Sequence, residues 1–260
     1  LEIYKLLPQS NCRRCLLPSC LAFAAAVVAG QRKLADCPEI DQGLLAAHGG
    51  GVGAKETAEP NQAAFIAKME GQVAGLDLAA VARQRGGRFE KGKIIINSLG
   101  KDFVVDQQGA ITSPCHIIPW VVAPILSYIT HATHQEITGS WISFRELKGG
   151  IDWQGLFQRR CEQPLQALAD ENPDFLSDLI DLFMGRGVDW YQADLAVVLH
   201  PLPHIPLLIC YQAADDDLLD SDLSILFDAC CAKNLHIKSI YTLCAGLVQM
   251  FVKIGEQHHL

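Results

Sequence analysis

The sequence has few charged and aromatic residues, and it contains no internal repeat. Charged residues make up 19% of the 260 positions and aromatic residues 7%, whereas half of the chain is hydrophobic. An intrinsically disordered chain is therefore excluded, as are collagen, coiled-coil and solenoid architectures. Basic residues are also scarce, since 21 Lys and Arg stand against 29 Asp and Glu, for a net charge of −8. We therefore expect no nucleic-acid partner.

Long hydrophobic runs and dense cysteines are missing as well. The apolar stretch 16–30 is shorter than the roughly 20 residues of a membrane span, and Cys15, Pro18 and Cys20 argue against a signal peptide. We therefore expect a cytoplasmic protein without a membrane span. The 10 cysteines are far fewer than a small disulfide scaffold needs, and four lie within the first 37 residues. This clustering favours a metal site in a reducing compartment.

Helical and strand patterns occur in separate runs, which predicts an α+β fold. Residues 1–41 are expected to form a small helical domain, the glycine-rich residues 42–61 a linker, and residues 62–260 a larger domain with several helices. Alternation between positions 88 and 112 predicts a small, three-stranded antiparallel sheet. Further strands are predicted at 195–199 and 207–211, and helices at 61–70, 76–84, 119–130, 153–170, 173–184, 221–233 and 240–254.

The N-terminal cysteines have the spacing Cys12-x2-Cys15-x4-Cys20-x16-Cys37. Four thiolates are what a 4Fe-4S cubane needs, one for each iron. Cys20 is expected in the first turn of a helix over 19–30, where free N–H groups and partial positive charge favour cluster sulfurs. This helix is apolar on every face, which predicts burial all round. Structural zinc sites usually pair two Cys-x2-Cys knuckles, and only one is present, but zinc, disulfides and inert thiols remain alternatives.

Part of this N-terminal region resembles a known cluster domain. The segments Ile3–Pro8, Asn11–Cys15, Pro18–Ala24 and Asp36–Pro38 are similar to the 4Fe-4S domain of corrinoid iron–sulfur protein large subunits, from the carbon monoxide dehydrogenase/acetyl-CoA synthase system. The resemblance implies that Cys12, Cys15, Cys20 and Cys37 bind a 4Fe-4S cluster. Leu16 replaces the usual glycine, and the corrinoid-binding barrel of that family has no counterpart here.

The remainder of the chain resembles an uncharacterised bacterial domain family that often accompanies this cluster domain. The resemblance rests on Thr138–Leu147, Gly149-Gly150, Asp194 and Ile225–Asp228, and it implies no activity. No catalytic motif stands out, so no enzymatic reaction is assigned.

Together these features predict a 4Fe-4S protein of an anaerobic bacterium that transfers single electrons or senses redox state. We expect a redox partner protein, for which a corrinoid-related protein is one candidate. Two alternatives stay open. The large domain could bind a small molecule or tetrapyrrole-like cofactor that the cluster reduces or activates, or the cluster or a zinc ion could be purely structural.

Several weaker groups are interpreted as structural rather than functional. A ligand-binding role for Arg145 and Glu146 is set against a simple turn, and a metal-binding role for His131 and His134 against a helix end. Cys230-Cys231 with His236 could form a second metal site. A divalent cation could be bound by the acidic residues Asp215, Asp216, Asp217, Asp220 and Asp222. An acidic redox partner could dock on the basic cluster Arg83, Arg85, Arg88, Lys91 and Lys93.

Overall fold

The computed structural model describes residues 2–15, 17–28, 32, 34–40, 58–115, 117–131, 133–215 and 220–258. The chain divides into two compact units, Leu1–Phe65 and Ile66–Leu260. Among the described residues both units contain helices, and the second contains two antiparallel sheets. The α+β fold class predicted from the sequence is therefore confirmed.

The first unit is built around a short apolar helix. It contains α1 (Glu2–Lys5), α2 (Cys20–Val28) and a 3-10 turn at Leu34–Asp36. Helix α2 is not buried on every face within this unit, because Leu21 is 58% exposed. A unit of this size has too little chain to cover a whole helix, so only one face packs inward. Its core consists of Leu7, Cys20, Phe23, Ala24, Val27, Leu34, Cys37 and Ile40.

Two helices precede the first sheet of the second unit. Helix α3 (Ala58–Val73) begins within the predicted linker, whose positions up to 57 lie outside the described residues. Helix α4 (Leu78–Gln84) begins after Asp77, whose carboxylate accepts hydrogen bonds from the N–H groups of Ala79 and Ala80. The predicted meander follows, with one more strand at its edge. Its strands pair in sequence order: β1 (Arg88–Glu90), β2 (Lys93–Ser98), β3 (Lys101–Val105) and β4 (Ile111–Thr112).

The middle of the chain is mostly helical. Helix α5 (Pro119–Thr130) is followed by an extended segment, by β5 (Trp141–Ser143) and by 3-10 turns at Phe144–Glu146 and Ile151–Trp153. A continuous helical run then has a π-helical segment, Gln158–Glu162, just before Pro164. Pro164 lacks the N–H that would bond to the carbonyl of Arg160, and this loss explains the local change of helix type. The helices of this region are α6 (Gln154–Phe157), α7 (Gln163–Glu171) and α8 (Pro173–Leu182).

A five-stranded antiparallel sheet, in the order β5-β9-β8-β7-β6, completes the second unit. The helix predicted over 221–233 is wrong, because Asp222–Asp228 forms strand β9. Leu223, Ile225 and Phe227 are buried while Ser224 and Leu226 are less so, and this period of two belongs to a strand. The other elements are β6 (Arg186–Gly187), β7 (Leu195–Leu202), β8 (Ile205–Gln212), α9 (Cys231–Asn234) and α10 (Ile237–His258).

One hydrophobic core joins the sheets and helices of this unit. The rings of Phe144 and Phe157 stack with centroids 4.0 Å apart, and Phe227 lies against both. Within α10, the stretch Ile237–Glu256 is long and apolar enough to cross a membrane by length and composition alone. Half of that stretch is buried inside the protein, as is usual for the core helix of a globular domain.

A buried carboxylate joins β9 to the extended segment before β5. Asp228 is fully buried and accepts hydrogen bonds from the N–H groups of Thr138, Gly139 and Cys230, at 3.0, 2.6 and 2.8 Å. Burial acts to raise the pKa of Asp228, but the hydrogen bonds from Cys230 and Thr138 outweigh it and hold the pKa below its ordinary value. Asp228 thereby connects Thr138–Leu147 with Ile225–Asp228, two of the segments on which the resemblance to the uncharacterised bacterial domain family rests.

We predict that Asp228→Ala lowers the free energy of unfolding by about 3–5 kcal/mol, because several buried donors lose their acceptor. The exposed Asp189→Ala serves as the control and should cost less than about 0.5 kcal/mol. Because the folded-state pKa of Asp228 is lowered, its stabilisation is present above the ordinary pKa of 3.8 and is lost as the pH falls below that value. Urea denaturation across pH 2–7 checks this, and equal acid sensitivity of wild type and D228A would contradict it.

Candidate metal centre

Cys37 lies within electrostatic range of the other three N-terminal cysteines. Cys12 is exposed and Cys15 half-buried, whereas Cys20 and Cys37 are each 6% exposed. Burial raises the pKa of Cys37, and its charge repulsion with Cys15, Cys20 and Cys12 adds to that effect, against a hydrogen bond from the backbone of Glu39. The structure thus places Cys37 within electrostatic range of the other three cysteines that the spacing singled out.

The loop that carries Cys12 has an unusual backbone conformation. Gln9, Asn11 and Arg13 have positive φ angles of 55°, 49° and 60°, a left-handed conformation that residues other than glycine rarely adopt. Ser10 and Cys12, which alternate with them, are not left-handed.

Asn11 connects this loop to the start of α2. Its Oδ1 accepts a hydrogen bond from the N–H of Cys20 at 2.8 Å, and its own N–H donates to Cys20 Sγ at 3.4 Å. The hydroxyl of Ser19 accepts from the N–H of Ala22 at 3.1 Å and caps the helix. Cys20 therefore lies in the first helical turn, as predicted, close to the positive end of the helix dipole.

Cys37 joins the other cysteines through a tight turn. Its N–H donates to the carbonyl of Leu34, and its carbonyl accepts from the N–H of Ile40, both at 3.3 Å. Leu34 and Ile40 are buried in the core and anchor the two ends of this turn. Arg14 and Glu39 form an ion pair between the Cys12 loop and this turn. Because both side chains are largely exposed, the pair adds orientation more than stability.

The residues present fit an iron–sulfur group. All 10 cysteines, each within the described part of the chain, are free thiols, and soft sulfur donors are the ligands that iron–sulfur clusters use. The N–H of Asn11 already donates to one of the four N-terminal sulfurs, and hydrogen bonds of this kind help to set the reduction potential of a cluster.

Models of two protein families match different parts of the chain. A family model described as "Domain of unknown function (DUF3786)" matches residues 77–250, more than half of the chain. The chain belongs to the DUF3786 family. A second model, described as "Putative Fe-S cluster", matches residues 7–39, which include Cys12, Cys15, Cys20 and Cys37. In this DUF3786 protein an iron–sulfur cluster domain therefore precedes the family domain, and the two resemblances seen in the sequence are confirmed.

Relatives of the N-terminal region come from bacteria and archaea. The chain is 50% identical over 40 residues to the corrinoid/iron-sulfur protein large subunit of Moorella thermoacetica. It is 48% identical over 40 residues to the acetyl-CoA decarbonylase/synthase complex subunit gamma 2 of Methanosarcina mazei. These matches cover 15% of this DUF3786 chain but only 9% and 8% of the two relatives. No solved structure matches the chain significantly.

Most of the weaker candidates have structural roles. Glu146 accepts hydrogen bonds from the N–H and hydroxyl of Ser143, at 2.8 and 2.6 Å, and so closes a capping box. Cys230 and Cys231 are buried thiols, while His236 is exposed. Of the acidic residues, Asp216 and Asp217 lie outside the described residues, and Asp222 begins β9 rather than a helix.

Two groups differ from the arrangement expected from the sequence. The basic cluster is not a continuous surface, because Arg85 is 2% exposed and donates to the carbonyls of His131 and Thr133. His131 and His134 do not share a helix face, because α5 ends at Thr130. His134 instead lies beside Glu136 and His204, two residues that the sequence analysis did not connect with it.

We predict that Asn11→Gly, which keeps the left-handed backbone but removes the Oδ1 acceptor, destabilises the first unit by about 0.5–1.5 kcal/mol. Asn11→Ala should cost about 1–2 kcal/mol more, because alanine is strained at positive φ. The rate of proteolytic cleavage within residues 1–65 should rise from wild type to Asn11→Gly to Asn11→Ala. The exposed Ser10→Ala is the control, and equal rates for all four chains would refute the role of Asn11.

Proposed function

We propose that Cys12, Cys15, Cys20 and Cys37 bind one 4Fe-4S cluster and that the protein exchanges single electrons with a partner protein. The observations that support this proposal are that Cys15, Cys20 and Cys37 belong to or pack against one small core and that Cys37 lies within electrostatic range of the other three cysteines. One thiolate is available for each iron of a cubane. When bound, such a cluster supplies a one-electron couple.

The unequal burial of the four cysteines supports electron exchange. Cys20 and Cys37 belong to the hydrophobic core of the first unit, which keeps water from that side. Cys12 is exposed, so a partner can approach the other side closely. The exposed Arg13 follows it directly, and we expect an acidic docking face on the partner.

The relatives suggest which partner to test first. They are named as subunits of corrinoid/iron-sulfur and acetyl-CoA decarbonylase/synthase proteins, so a corrinoid-related protein is our first candidate. We also propose that the protein functions in the cytoplasm of an anaerobic bacterium. A reducing compartment suits the free thiols found in the described part of the chain.

Cluster binding is tested by anaerobic purification, iron and sulfide analysis, and electron paramagnetic resonance of the reduced protein. We expect about four irons and about four sulfides per chain. Separate Ser substitutions of Cys12, Cys15, Cys20 and Cys37 should each remove most of the iron and the resonance signal, because one ligand is lost. Cys115→Ser, which changes a half-buried thiol of the second unit, should retain both. A preparation that holds only zinc would refute the cluster.

A separate measurement distinguishes electron exchange from a purely structural cluster. In a spectroelectrochemical titration, the wild-type absorption should bleach and recover reversibly within roughly −700 to +450 mV, the range of iron–sulfur proteins. A protein with the full iron and sulfide content that shows no reversible step in this range would bind a cluster without exchanging electrons.

A further inference from the structure

A cluster of metal-binding side chains lies in the second unit and involves none of the N-terminal cysteines. One ligand atom each from His134, Glu136 and His204 lies within 4.8 Å of the other two. His134 Nε2 is 3.1 Å from Glu136 Oε1, and His204 Nε2 is 4.0 Å from Glu136 Oε2. Donor atoms that bind one zinc ion tetrahedrally at 2.0–2.2 Å are about 3.4 Å apart. The three side chains therefore already have nearly the spacing of a coordination sphere.

Hydrogen bonding determines which nitrogen of His204 is free. The hydroxyl of Tyr128 donates its only hydrogen to the carbonyl of Arg85 at 3.0 Å. In that arrangement it accepts from His204 Nδ1, which lies 3.0 Å away, and from the backbone N–H of His204 at 3.3 Å. With the proton on Nδ1, the Nε2 lone pair faces the Glu136 carboxylate, and a cation would relieve the contact between these two acceptors. A second hydrogen bond of this kind is what orients histidine ligands in metal sites.

Buried polar groups hold the backbone of both ligand-bearing segments. The carboxamide of Asn234, which is fully buried, accepts from the N–H of Gln135 at 2.7 Å and donates to its carbonyl at 2.8 Å. The same amide donates to the carbonyl of His204 at 3.2 Å. One side chain therefore fixes the separation between the segment of His134 and Glu136 and the turn of His204. A precisely held backbone is what a metal site requires.

Side chains alternate between two faces along the extended segment, and this alternation explains why His134 and Glu136 lie together. Arg85 donates to the carbonyls of His131 and Thr133, and Asn234 binds the backbone of Gln135. These alternate residues are therefore held by buried side chains. In extended backbone, residues two apart lie on the same face, which places His134 and Glu136 together on the other. The Glu136 side chain is 83% exposed, so the cluster opens to solvent.

We propose that His134, Glu136 and His204 form a binding site for a divalent ion of the zinc class. Two imidazoles and one carboxylate suit zinc and its first-row neighbours, whereas Mg²⁺ and Ca²⁺ prefer oxygen ligands. Three protein ligands leave a coordination position for water or a small molecule, as in open zinc sites.

The test is equilibrium dialysis of the full chain against Zn²⁺, followed by elemental analysis. All variants keep the four N-terminal cysteines, so metal bound there cancels in the comparison. Wild type should bind one Zn²⁺ more per chain than the double variant His134→Ala/His204→Ala. Tyr128→Phe should weaken this extra binding about 10–100-fold without changing the number of ions, since it removes the hydroxyl that bonds to His204 Nδ1 and leaves all three ligands in place.

Two further variants distinguish the loss of a zinc ligand from misfolding of the protein. Glu136→Gln changes an exposed side chain, and we expect it to fold like wild type and to bind the extra Zn²⁺ at least about tenfold more weakly. His200→Ala changes an exposed histidine of β7 and should bind like wild type. The site is refuted if wild type and the double variant bind Zn²⁺ equally, if folded Glu136→Gln shows unchanged affinity, or if His200→Ala loses the same ion.

Discussion

Extended backbone that joins no sheet must find other hydrogen-bond partners, and this requirement shapes the second unit. Unpaired N–H and carbonyl groups are costly to bury, and residues 133–140 form no strand. Arg85, Asn234 and Asp228, each at most 2% exposed, provide the missing partners. Burying such polar groups is favourable only when their hydrogen bonds are made. The path of the chain from α5 to β5, and with it the position of His134, follows from these three side chains.

The first unit also depends on hydrogen bonds between side chains and backbone, although it contains fewer residues. Its core is small, so local hydrogen bonds that the side chains of Asn11 and Ser19 accept position the loop and the helix that carry Cys12 and Cys20. Left-handed residues shape the loop, and a tight turn returns Cys37 to it. A bound metal cluster commonly supplies the stability that a core of this size lacks. In this unit, the contacts that position the cysteines therefore also stabilise the fold.

Features with a strong local signal could be predicted from the sequence. The meander and the two strands around the turn at Pro203-His204 alternate clearly and are separated by turn residues, and the four cysteines have a specific spacing. Strand β9 was mistaken for a helix because its apolar residues form a short run after an acidic stretch, and such runs fit either structure. Arg85 was placed on a charged surface because the carbonyls that bind it become neighbours only in three dimensions. His204 was missed for the same reason, although the His134-x-Glu136 spacing would have indicated a shared face if an extended backbone had been assumed.

The exposure of Cys12 also bears on how the protein withstands molecular oxygen. Oxidants reach solvent-facing thiolates first, and Cys12 is exposed while Cys20 and Cys37 remain inside the core. Oxidation in air is therefore expected to begin at the Cys12 thiolate and to leave the buried Cys20 and Cys37 reduced. Two of the four thiols that the proposed cluster would use are thereby kept available for iron and sulfide once anoxic conditions return.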